Sequence, residues 1–279
     1  TELEQTTFLI TSIHLLEPTI ELEQINLKGF SYKESNLLAQ AILGSPFVEI
    51  HQSKFNELYT DLNYLPLAIS VIVKQIKNHP AQLDHIISEL SSQNIPLHEF
   101  TYENKNLQQA LTISFNLLSS NLKEFFIALS VFSGTDFSMD AASAISNRTI
   151  DETKEYIYQL EKLGLLEKSM YGRYRLHPLV RIFVTNRLDT TIYEKLAEYY
   201  IKRLSTLDRF SLNFVSFIKK ETDNIIGVLE KCYETRKYDV VLKLWEYYGV
   251  YLWDSGYWST FYSMSKTIVK AAYLVQDFE

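Results

Sequence analysis

Leu165-Leu166-Glu167-Lys168-Ser169-Met170-Tyr171-Gly172-Arg173-Tyr174-Arg175-Leu176-His177-Pro178-Leu179-Val180 is the stretch whose reading decides the fold. Two short runs, 165–168 and 173–176, flank Met170-Tyr171-Gly172 and read as a two-stranded hairpin. Gly164 stops the segment before them, and Pro178 opens a helix at the first helical position, where its missing N–H costs nothing. Upstream, apolar residues recur at helical spacing over 107–118, 121–132 and 138–147. Another helix opens at Thr149-Ile150-Asp151-Glu152, which has the capping-box spacing. Helices followed by a hairpin wing make a winged helix, assigned to residues 101–189.

Working outward, residues 31–100 read as a compact helical bundle. Ser31-Tyr32-Lys33-Glu34 repeats the capping-box pattern, Leu37, Leu38, Ala41 and Ile42 follow on one face, and further helices are expected over 53–62, 66–77 and 80–91. Residues 95–106 are polar and hold Pro96 and Asn104, so a linker is expected there. Thr7-Phe8-Leu9-Ile10-Thr11-Ser12 has the pattern of a buried parallel strand. A lone strand is not stable, so residues 1–30 are expected to be the last strand and linker of an α/β domain whose remaining strands lie outside this sequence. Beyond Asp189 only helices are expected, over 191–206, 221–235, 238–254 and 258–275. They read as stacked antiparallel helix pairs spanning 190–279, with Trp245, Trp253 and Trp258 filling the space between helices. The fold class is therefore mainly α, and the 8 glycines and 6 prolines leave little punctuation for a large sheet.

Composition excludes several functions. A formal net charge of −7 opposes a large nucleic-acid footprint, so DNA is not an expected partner. Cys232 stands alone, which rules out an internal disulfide and suits a reducing compartment. The most apolar run, Pro66 to Val73, is too short to span a bilayer, and a cytoplasmic protein with no membrane partner is expected. No G-x-x-x-x-G-K-[ST], H-E-x-x-H, C-x-x-C or G-x-S-x-G pattern occurs, so neither a catalytic residue nor a metal site is assigned and the chain is not expected to be an enzyme by itself. The paired acids Glu221 and Asp223 read as a solvated polar face.

Two residues stand out for binding. His177 lies where the wing meets a helix start, a place where backbone amides and the helix dipole favour an anion; it reads either as a cap or as a donor to phosphate. Pro66, in Tyr64-Leu65-Pro66-Leu67-Ala68, opens an apolar helix and could present a flat ring to a base.

Taken in order, the strand ending in Thr11-Ser12, the Leu65-Pro66-Leu67-Ala68 motif and the wing ending at His177 resemble the NB-ARC class of STAND nucleotide switches. Leu107 to Phe115 and Phe125 to Gly134 resemble the first winged-helix segments of the same family. Tyr64 stands where that family usually has glycine. The resemblance implies an amino-terminal P-loop domain that holds ADP or ATP in the intact parent, with little or no binding by this chain alone. It implies that Pro66 packs near the adenine, that His177 contacts the β-phosphate, and that Thr11 and Ser12 end a strand at the nucleotide. It implies that residues 31–100 act as a lid over the nucleotide, that residues 190–279 begin a tetratricopeptide-like array, and that a protein partner or ligand binds on those repeats. The function expected is the regulatory and sensor part of a nucleotide-dependent switch. The alternatives are a winged-helix DNA-binding transcriptional regulator and an enzyme of unrecognised type.

Overall fold

The computed structural model describes residues 28–91 and 105–276. The expected strand with Thr11 and Ser12, and most of the expected linker, lie outside the described residues. What is described is mainly α, with one two-stranded antiparallel sheet.

The first helices are α1 (Tyr32–Leu43), α2 (Ser45–Ile50), α3 (Gln52–Asp61), α4 (Pro66–Asn78) and α5 (Leu83–Ser91). The capping box at the start of α1 forms: the Glu34 N–H donates to Ser31 Oγ, and the Ser31 N–H donates back to the Glu34 carboxylate at 2.7 Å. Gly44, at φ 89°, ends α1, and Pro46 then starts α2, a short helix that the spacing did not predict. The centre of this part is α4, whose Ala68, Ile69, Val71, Ile72, Val73 and Ile76 are all fully buried against α1 and α6.

Next come α6 (Lys105–Asn116), α7 (Ser120–Ala128), α8 (Met139–Ser146) and α9 (Ile150–Lys162). The hairpin follows as β1 (Glu167–Lys168) and β2 (Tyr174–Arg175), and then α10 (Pro178–Thr185). Glu167 pairs with Arg175 and Lys168 with Tyr174. Phe137 exchanges both backbone hydrogen bonds with Tyr174, at 2.8 and 3.0 Å, so β2 is held on both edges. The Phe137 ring stacks on Phe132 with centroids 4.4 Å apart, which anchors the 133–137 loop to the core. Ser138 caps α8 by accepting from the Ala141 N–H at 3.2 Å. Ser138→Ala is expected to cost about 1 kcal/mol, read from chemical denaturation midpoints.

The last part is α11 (Thr191–Ser205), α12 (Leu212–Glu234), α13 (Tyr238–Asp254) and α14 (Trp258–Gln276), packed as sequential neighbours. α11 also packs on α8 and so joins this part to the hairpin region. α12 begins at Leu212 instead of the expected 221, because Ser211 caps it with its hydroxyl on the Phe214 N–H, and no proline or glycine interrupts the next turns. Trp245 packs on the core as expected, but Trp253 and Trp258 are 60% and 65% exposed, since they sit at the open end of the α13–α14 turn. Cys232 is buried on the inner face of α12, and burial pushes its thiol up to about 12. A thiol reagent at neutral pH is expected to label it only once the protein is denatured, as read by absorbance or mass. Among the described residues no helix is long and apolar enough to cross a membrane, and no group of three or more His, Cys, Asp or Glu could hold a metal ion.

Candidate functional site

His177 is the residue just before α10, and its two nitrogens have different tasks. Nδ1 accepts from the Leu179 N–H at 3.2 Å, so it caps the helix and must be unprotonated. The ring proton therefore sits on Nε2, which makes no hydrogen bond among the described residues. Burial holds the imidazole below its ordinary value, with Arg175 adding to the effect and Glu167 opposing it. The ring is uncharged at neutral pH and offers one N–H donor of set direction. The two sequence readings, cap and donor, are thus compatible, because each uses a different nitrogen.

Pro66 is the first residue of α4, as expected, and is half-buried. Asn63 and Tyr64 before it are both left-handed, at φ 49° and 55°, and the Tyr64 carbonyl accepts from the Phe30 N–H at 2.9 Å. A tyrosine in that conformation costs about 1–2 kcal/mol that a glycine would not. Pro66 and His177 are not joined by any hydrogen bond. α6 packs against both α4 and α10, and at the far end of α4 the Asn78 side chain reaches the Lys162 carbonyl at the end of α9.

The most heavily connected polar cluster lies elsewhere. Arg173, just before β2, donates through Nε to Asp136 Oδ1 at 2.5 Å and through Nη1 to Glu221 Oε1 at 2.6 Å. Its Nη2 reaches the Asp136 carbonyl at 3.2 Å. Glu221, on α12, is 1% exposed, and its Oε2 accepts from the buried Tyr200 hydroxyl at 2.8 Å and from Asn224 Nδ2 at 3.0 Å. Asn224 also gives Nδ2 to the Asp136 carbonyl at 2.9 Å and takes the Gly134 N–H on Oδ1 at 2.8 Å. Ser169, at the wing, donates to Asp136 Oδ2 at 2.8 Å. The hairpin, the 133–137 loop, α11 and α12 are therefore clasped by one network in which both oxygens of Glu221 and all three nitrogens of the guanidinium are used. Burial lowers the Arg173 pKa, but the ion pairs with Glu221 and Asp136 outweigh it and leave the group above its ordinary value. Burial, with Glu221 beside it, pushes the Tyr200 phenol well above its ordinary value.

No protein-family model matches the chain. Over 160 residues, 57% of its length, it is 22% identical to Regulatory protein AfsR of Streptomyces coelicolor. The chain covers 16% of that protein.

The clasp corrects the reading of Glu221 as a solvated acid. On α12, Phe214, Ile218, Ile225, Val228 and Cys232 are all buried. Their spacing leaves one gap in the stripe, and Glu221 fills it, three residues after Ile218 and four before Ile225. Because α12 begins at Leu212, Phe214 and Ile218 form the first half of that stripe. Asp223 lies off the stripe, and only Glu221 and Asn224 of this segment's polar residues turn inward as part of the clasp.

Proposed function

We propose that this chain is the regulatory and sensor part of an ADP- or ATP-dependent molecular switch. In this reading α6–α10 and the hairpin are a winged-helix domain, α1–α5 a lid, and α11–α14 a tetratricopeptide-like array that meets a protein partner or ligand. The observation that carries it is that His177 and Arg173 stand four residues apart on one stretch of chain: the first presents a donor at a helix start, and the second is gripped by the array through Glu221. A phosphate oxygen would take the Nε2 proton, Pro66 would face the base, and Thr11 and Ser12 would end the neighbouring strand. The likeness to a regulatory protein agrees with this role. The reading assigns the phosphate-cradling loop to another part of the parent protein, gives this chain no catalytic step, and places it in the cytoplasm.

ADP titration by calorimetry into the full-length product of the gene, and into its His177→Ala variant, is the test. Loss of one hydrogen bond to a charged oxygen is expected to weaken binding by about tenfold or more. Equal affinities would remove His177 from the site. The DNA-binding alternative is opposed by α9, where Asp151, Glu152 and Glu155 are all exposed and would face a phosphate backbone.

A further inference from the structure

We propose that the buried clasp is a mechanical coupling, which passes a displacement of α12 through Arg173 and β2 to the His177 cap at the start of α10. It deepens the switch reading and rests on it for its biological purpose, but the geometry stands on its own. A buried ion pair adds little stability over well-packed apolar side chains of the same volume. What it adds is direction, because a guanidinium and a carboxylate bond well in one relative placement only. Here Glu221 and Asn224 sit one helical turn apart on α12, and they grip Arg173 and the 134–136 backbone together. α12 thus cannot slide or turn without dragging Arg173 with it or breaking the set.

From Arg173 the path to His177 is short and stiff. The next residue, Tyr174, is pinned on one edge by Lys168 and on the other by Phe137, and Arg175 pairs with Glu167 through both backbone register and an ion pair at 2.8 Å. Two residues later His177 makes the bond to Leu179 that starts α10. The distance covered is about 13 Å at strand rise, with no glycine or turn to absorb motion. The exposed hairpin tip at Met170 and Tyr171 lies on the other side of Arg173, so it is not in the path.

Amide hydrogen exchange on the whole chain, resolved at Gly134 and Leu179, tests the coupling without any nucleotide. Gly134 reports the clasp itself, through its bond to Asn224, whereas Leu179 reports the distant cap. Glu221→Gln is expected to raise exchange at both amides by about tenfold or more, while α4 and α7 keep their protection and far-UV circular dichroism is unchanged. The double replacement Arg173→Met with Glu221→Met cuts the link from α12 altogether, and is expected to leave Leu179 exchanging faster than in the parent chain. Should Glu221→Gln fold poorly, Tyr200→Phe removes one bond to the same carboxylate and is expected to give the same pattern at smaller amplitude. Faster exchange at Gly134 with Leu179 unmoved, in either variant, would overturn the coupling. So would loss of protection spread evenly over α4 and α7. An unchanged ADP affinity in the His177→Ala parent would instead remove His177 from the nucleotide site and leave the coupling intact.

Discussion

Glu221→Ala is expected to lower the unfolding free energy by about 3–5 kcal/mol, the range seen when one member of a buried pair is removed. Three donors depend on that carboxylate: Arg173 Nη1, the Tyr200 hydroxyl and Asn224 Nδ2. Alanine leaves a guanidinium charge with only Asp136 to answer it, and leaves a fully buried phenol with no acceptor from that side. Replacing Arg173 and Glu221 together by methionine removes the stranded guanidinium and keeps apolar volume, so that variant is expected to be more stable than Glu221→Ala, although Asp136 loses its cation and the Tyr200 hydroxyl its acceptor. Urea titration followed by circular dichroism on the two variants and the parent decides it. A single replacement as mild as the double one would mean that Arg173 finds water or Asp136 sufficient, and that the clasp is looser than its distances.

The helices were readable because their signals are local. Both capping boxes, at Ser31 and Thr149, form with the reciprocal bonds that the S/T-x-x-E spacing calls for. The hairpin was readable from Gly172 and from Pro178 just beyond, although the paired strands are only two residues long each, shorter than the runs around them. His177 stands at a helix start, as Pro178 after it predicts, and its ring caps that helix. What sequence pattern could not supply was the division of labour between Nδ1 and Nε2, which depends on the position of one backbone amide.

The clasp was harder for a different reason. Its members come from four segments separated by as many as 90 residues, as in the bond from the Gly134 N–H to Asn224 Oδ1. Pairing at that range is a tertiary fact, and a buried acid looks locally like a solvated one. The clue available was periodic: an acidic residue standing in an apolar stripe either faces a partner cation or costs several kcal/mol. The exposed Trp253 and Trp258 show the converse failure. Large aromatic rings are expected inside, yet the end of a helix stack has no further helix among the described residues to cover them.

Tight backbone packing beside the clasp yields the second large effect. Gly227, buried on α12, faces Ser133 so closely that a Cβ there would stand 2.5 Å from the Ser133 Cβ and 2.2 Å from its Oγ. A serine hydroxyl can rotate away, but its Cβ moves only with the backbone, and that backbone is tied one residue later by the Gly134 bond to Asn224. Gly227→Ala must therefore push α12 off the 133–137 loop. In an ordinary solvent-facing helix position the same change would gain about 1 kcal/mol through helix propensity. Here overpacking is expected to reverse the sign, with a net loss of about 1–3 kcal/mol in urea denaturation. Ser133→Gly in the same chain removes the obstructing Cβ and is expected to recover most of that loss, which separates close approach from any general intolerance of α12 to a side chain. If Gly227→Ala were stabilising by itself, α12 and the loop would have to stand farther apart than these distances, and the bonds from Asn224 to Gly134 and Asp136 could not form as they do.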